Sequence, residues 1–249
     1  MATELLQEIR TTTETIDTRA PTETTDTTDT LVYPESDGKP MANNTKEFCW
    51  VVTIQGGLDA LLRHDPNVFV AGNLLWYPVQ GQPDLSCAPT AMVVFGRPKG
   101  DRTTYKQWEE DNIPPQVVFE VRSSRGNWNE LSRKFQFYDD YGVEEYYLYD
   151  PNRNEVCGWR RTDTRLRVIE TLESWVSPRL GITFQMQPDE LRILRPDGQP
   201  FLSYLDLEAQ YTLAQQQIAQ ERQEKEAALA RAERLAAQLR DMGINTEEE

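Results

Sequence analysis

A mixed α/β fold is predicted, with one central sheet flanked by helices and a long C-terminal helix of coiled-coil character. Three observations predict it. Near-continuous apolar runs such as AMVVF and VVFEV have the composition of strands covered on both faces. Between residues 116 and 151 a strand, a helix and a second strand follow one another, the order of a crossover unit with parallel strands. From Leu205 onward Ala, Gln, Glu, Arg and Leu dominate, as in long solvent-exposed helices.

The elements follow in order. Residues 1–42 are expected to form a disordered, Thr- and acid-rich head. Its stretch TTTETIDTRAPTETTDTTDT has no periodicity and too little apolar surface to offset ordering entropy, so disorder is expected. The folded domain is expected over 43–204. Trp50, Val51, Ile54, Leu58, Leu61 and Leu62 recur at helical spacing, and the stripe continues across Gly56-Gly57, so a helix is predicted there although the two glycines cost it roughly 2 kcal/mol. NVFVAGNLLWYPV reads as a strand or a strand pair bent at Ala71-Gly72, GQPDLS as a turn, and APTAMVVF as the next strand. A long polar loop with a short helical stretch leads to Pro114-Pro115. QVVFEV is a strand. Asn127 to Tyr141 reads as a helix capped by Asn127 with Glu130 three residues on, and Gly142 ends it. EEYYLYDP is a strand, and EVCGWRR, RLRVIETLE and LGITFQM are expected to extend the sheet antiparallel. A helical tail spans 205–243, its apolar seam weak from Gln220 to Lys225, and 244–249 form an acidic terminus.

Composition narrows the function classes. The net charge of −15 is uneven: residues 1–45 carry −6, 46–185 carry −3 and 186–249 carry −6. Such a chain repels polyanions at long range, which argues against strong nonspecific nucleic-acid binding. Three widely spaced cysteines without a CxxC pair fit a reduced, cytoplasmic setting. The one histidine, His64, sits in the charged stretch LLRHDPN and reads as a solvated turn residue. No apolar run is long enough to span a membrane, and no membrane partner is expected.

One residue stands out. Glu120 lies inside the apolar run VVFEV, where an ionised carboxylate without a partner costs several kcal/mol. The carboxyl end of such a strand is also where open α/β sheets bind ligands. Arg122 follows two residues later. Lys134 lies on the next helix, and two readings of it are open: an ion pair with Glu130 one turn away, or a group of the site. Acids at adjacent strand ends with a lysine nearby suit metal-assisted phosphodiester hydrolysis, in which Mg²⁺ lowers the pKa of a bound water and the lysine positions it.

The runs AGNLLWYPV, APTAMVVFGRPKGDRTTYKQWEEDNIPPQVVFEV and KFQFYDDYGVEEYYLYDP resemble the Uma-type restriction endonuclease family of the PD-(D/E)XK nuclease-like superfamily, over roughly residues 32 to 205. The resemblance implies a restriction-endonuclease-like core, DNA as partner, and hydrolysis with Mg²⁺ (or Mn²⁺) as cofactor. It places Glu120 as catalytic and metal-binding acid and Lys134 as catalytic lysine. Pro89 matches the family's Pro-Asp, but Thr90 stands where the metal-binding Asp belongs. Many relatives read AGDLLWYP where this chain has Asn73. Asp84, in a separate Pro-Asp, is the available substitute acid.

The site is therefore expected to be degenerate, short of one acid. Arg97, Lys99, Arg102 and Arg125, with Lys106, Arg122 and Arg133 nearby, either contact phosphate or balance the acids of EEDN in the same loop. Trp108, Trp128 and Tyr105 are expected to pack on the sheet. Two function classes stand: a metal-dependent DNA endonuclease with a degenerate centre, active or inactive, and a non-catalytic nuclease-fold scaffold or interaction protein acting through its helical tail. Homo-oligomerisation through that helix is the expected protein partnership.

Overall fold

A periodic apolar face and a side-chain cap start the first helix, α1 (Thr45–Leu61), in the computed structural model, which describes residues 31–123 and 128–242. The Asn44 side chain accepts the Glu47 N–H at 2.9 Å, while Glu47 accepts in return from the side chain of Asn44 and the N–H of Asn43. Val51, Ile54 and Leu58 are buried in the middle of the helix. Residues 1–30 of the expected disordered head, the Asn127 cap, Arg125 and the acidic terminus lie outside the described residues; within the described part of that head, the Tyr33 hydroxyl accepts the Gly81 N–H and the Pro34 carbonyl accepts the Tyr77 hydroxyl, each at 2.7 Å.

Six strands form the central sheet: β1 (Val68–Gly72), β3 (Ala91–Phe95), β5 (Val117–Val121), β6 (Glu145–Asp150), β7 (Glu155–Thr162) and β8 (Arg165–Val168), in the order β1-β3-β5-β6-β7-β8. Within this sheet β5 and β6 pair in parallel, joined by helix α2 (Trp128–Asp140), and its other pairs are antiparallel. Two small sheets accompany it, β2 (Trp76–Tyr77) with β4 (Tyr105–Lys106), and β9 (Thr183–Met186) with β10 (Leu191–Leu194). The mixed α/β fold and the crossover unit agree with the sequence reading. The bend in NVFVAGNLLWYPV comes after Gly72, at Asn73, whose φ of 51° lies in the left-handed region that asparagine tolerates. LGITFQM does not extend the central sheet: its strand β9 pairs with LRIL, an unpredicted strand.

Strand alternation splits the core in two. On one face Met92, Val94, Val118 and Leu148 pack with Leu131 and Tyr138 of α2 and with Trp76 and Tyr105. On the other, Val93, Val117, Phe119 and Tyr147 pack with Ile54 and Leu58 of α1 and with Phe184, Leu191 and Ile193 of the small hairpin. Both faces of the central strands are thus covered, which is why their sequences are apolar without alternation. Gly57 is explained here: a Cβ at that position would fall inside the Phe201 ring.

The chain divides into two units, residues 1–201 and 202–249. The second contains α3 (Tyr204–Asp241), capped by Ser203, with no buried residue. Among the described residues no helix is long and apolar enough to cross a membrane.

Candidate active site

Glu120 is the penultimate residue of β5, and its side chain points to the face covered by α2. Antiparallel pairing sets Ala91 opposite Phe119, so Thr90, just before β3, arrives beside Glu120. Helix α2 then crosses above the carboxyl end of β5, and residues one turn apart, Lys134 and Tyr138, reach the same carboxylate.

Every oxygen in this cluster has a partner. Glu120 Oε1 accepts from Lys134 Nζ at 2.7 Å and from the Tyr138 hydroxyl at 2.5 Å; Oε2 accepts from Thr90 Oγ1 at 3.0 Å. Thr90 Oγ1 in turn accepts the Val121 N–H at 3.0 Å. Lys134 also donates to the Ala88 carbonyl at 3.1 Å, and the Tyr138 hydroxyl lies 3.2 Å from Cys87 Sγ. The Glu120 side chain is 5% exposed and that of Lys134 24%, so the ion pair is buried at one end and open to water at the other.

The electrostatics favour this closed state. Burial works to lower the Lys134 pKa, but the neighbouring Glu120 carboxylate outweighs it and holds the ammonium well above its ordinary range. Burial pushes the Cys87 thiol up to about 11 and the Tyr138 phenol well above its usual value, aided in the tyrosine by the charges it faces. The cluster is one carboxylate, one ammonium and neutral donors, with no net charge.

A Mg²⁺ ion does not fit this donor set. The ion needs several oxygen ligands, carboxylates foremost, to offset its dehydration. Here one carboxylate is present, its near oxygen is held by an ammonium, and the neighbouring strand end brings only the Thr90 hydroxyl, already committed to Glu120. Among the described residues no three acidic, histidine or cysteine side chains gather as a metal site.

None of the other expected site residues has a side-chain hydrogen bond or ion pair to Glu120 or Lys134 among the contacts of the described residues. Asn73 is exposed; its backbone N–H donates to the carbonyls of Pro89 and Thr90 at 3.0 and 3.3 Å, so it braces the mouth of β3. Asp84 is exposed in the turn following β2. Arg97, Lys99 and Arg102 leave β3 at the end opposite Thr90. Arg97 and Arg102 pair with Glu110 at 2.8 and 2.6 Å, Arg97 also with Asp111, Lys99 with Asp59 at 3.6 Å and Lys106 with Glu109 at 3.4 Å. Arg122 pairs with the buried Asp150 at 2.7 Å and lies over the Trp128 ring. Tyr105 is buried, and Trp108 packs against Tyr33.

Of the two readings of Lys134, the structure selects Glu120 as its partner; Glu130 is paired instead with Lys39 at 2.7 Å. Tyr138 and Cys87 were not among the expected site residues. A signal for Tyr138 existed, since it lies four residues after Lys134 and so shares its helix face. Cys87 had none, because its approach depends on the path of the chain between β2 and β3.

The Uma2 family model, described as "Putative restriction endonuclease", matches residues 51–194, a span that contains the whole cluster. No curated protein matches the chain. Among solved structures, the crystal structure of "a putative nuclease" from Anabaena variabilis is similar at 12% identity, covering 54% of this chain and 73% of that chain with a TM-score of 0.40.

Proposed function

The chain belongs to the Uma2 family, and from that premise we propose that it is a non-catalytic member, a nuclease-fold scaffold in which the hydrolytic centre has become a neutral structural one. The observation that carries this reading is the saturation of Glu120: Lys134, Tyr138 and Thr90 together take both of its oxygens. Thr90 in the place of a carboxylate removes half of the charge that would hold a divalent cation, and its hydroxyl spends itself on the remaining acid. The internal pairing of Arg97 and Arg102 supports the same reading, because those charges are balanced before any phosphate arrives.

A second reading is a DNA endonuclease held back only by residue 90. The observation in its favour is that Glu120 and Lys134 sit together at the carboxyl end of β5, where the family's acid and lysine are expected. Purified protein incubated with single- and double-stranded DNA and Mg²⁺ or Mn²⁺ separates the two. The scaffold reading expects no cleavage above that of Glu120→Ala, and no heat of Mg²⁺ binding. Cleavage by the unaltered chain that disappears in Glu120→Ala would overturn it. Thr90→Asp is expected to gain Mg²⁺ binding in calorimetry, whether or not cleavage follows.

A further inference from the structure

The long helix α3 poses a problem of its own. It runs 38 residues, about 57 Å at the usual rise, without one buried residue. Tyr204, Leu207, Tyr211, Ile218, Leu235 and Met242 are between 45% and 71% exposed. Taken every seventh residue from Tyr204 and again from Leu207, these side chains, with three alanines and Leu239, fall on one stripe along the whole helix. Such a stripe has the spacing of a two-stranded coiled-coil seam, with the exposed Leu205, Leu213 and Leu229 lying off it. Only two of its positions are not apolar, Glu221 and Lys225, and they lie at its middle.

Those two charges decide the partner's orientation. In a parallel pair of identical helices each seam position faces its own copy, so Glu221 meets Glu221 and Lys225 meets Lys225 inside the seam. In an antiparallel pair centred on Gln223, each Glu221 faces the second copy's Lys225. The same centre sets Leu207 against the second copy's Leu239, and Tyr211 against Leu235, so apolar groups meet along the rest of the seam. Arg222 and Glu224 then meet their own copies at the rim, where water screens exposed charges and the interaction is weak. Inside the seam screening is poorer and like charges cost more. We infer that α3 is a homodimerisation helix that pairs antiparallel with a second copy of this chain, its register set by two reciprocal Glu221–Lys225 pairs. The inference does not rest on the reading of the Glu120 centre.

The experiment uses the full chain in a Cys49→Ser background, because Cys49 is an exposed free thiol while Cys87 and Cys157 are buried. Ala214 and Ala232 face each other across the antiparallel seam. Ala214→Cys and Ala232→Cys chains, mixed and oxidised, are expected to give a cross-linked dimer that neither gives alone. Sedimentation of the unaltered chain is expected to show a dimer. Glu221→Lys is expected to raise the dimer Kd at least tenfold, and the swap Glu221→Lys with Lys225→Glu to restore it. A monomer at every concentration overturns the inference, as does self-cross-linking of Ala214→Cys, the parallel outcome. Failure of the charge swap to restore the dimer overturns the assigned register.

Discussion

The Thr90 hydroxyl donates to Glu120 Oε2 at 3.0 Å and accepts the backbone N–H of Val121 at 3.0 Å, so one side chain ties the mouth of β3 to the end of β5. A carboxylate at residue 90 could accept that N–H, but it has no proton to give to Glu120. An acid at residue 90 would face Glu120 with a repulsion that needs a cation, where the threonine hydroxyl makes a bond that needs none.

Thr90→Asp sets a second carboxylate against Glu120. It is expected to lower the thermal midpoint in the presence of a chelator and to recover part of the loss when Mg²⁺ is added, while the unaltered chain shows the same midpoint in both conditions. A thermal scan with EDTA and with Mg²⁺ checks it. Equal destabilisation of the variant with and without the ion would show that the pocket cannot be recharged.

Removing one member of the central ion pair leaves the other stranded. Glu120→Leu is expected to cost about 3 kcal/mol, the lower end for a broken buried pair, because Lys134 keeps some access to water. Lys134→Met is expected to cost a similar amount. The double variant should cost clearly less than both together, since no charge is then left uncompensated. Urea titration of the four proteins measures the coupling.

Alkaline pH is expected to unfold the domain sooner than a chain of exposed groups. Cys87 and Cys157 are pushed by burial from 9.0 up to about 11, so below pH 9 the folded and unfolded chains bind these protons equally, and between 9 and about 11 only the folded chain keeps them. Stability is present below the lower value and declines as pH rises toward the upper one. Tyr138 and Tyr146, held well above their usual value of 10.0 chiefly by burial, steepen the decline from pH 10. Lys134 acts in the same direction. Denaturant midpoints at pH 8, 9.5 and 10.5 follow the loss, and Cys87→Ala should flatten its first part.

The two adjacent glycines of α1 are expected to respond in opposite ways. At Gly56 an added methyl meets nothing within 4 Å, so Gly56→Ala should stabilise by about 1 kcal/mol through helix propensity. At Gly57 the methyl collides with the Phe201 ring, so Gly57→Ala should destabilise by about 1–3 kcal/mol despite the same propensity gain. Chemical denaturation of both single variants decides it.

How far the sequence carried the fold depended on how local each cause was. Helix α1 was legible because Trp50, Val51, Ile54 and Leu58 mark one face within a few turns. The β5–α2–β6 crossover was legible because its apolar runs need cover on both sides. Strand β10 was not: LRIL is short, sits among polar residues, and is a strand only because β9 lies beside it. The centre divides in the same way. Glu120 announced itself by its apolar neighbours, whereas the choice of Lys134 between Glu120 and Glu130 rested on the height at which α2 crosses the sheet. The buried Glu47 was missed, although Asn44 three residues before it carried the spacing of a reciprocal cap.

The separations along the chain between Glu120 and its partners bear on the order in which the domain assembles. Lys134 and Tyr138 lie 14 and 18 residues away, within a single crossover, while Thr90 lies 30 residues away on a strand that arrives from elsewhere. Short loops close at lower entropic cost. The lysine and tyrosine contacts are thus candidates for the folding nucleus, and the threonine contact for a late latch. In chevron kinetics, Lys134→Met should slow refolding, whereas Thr90→Val should mainly quicken unfolding.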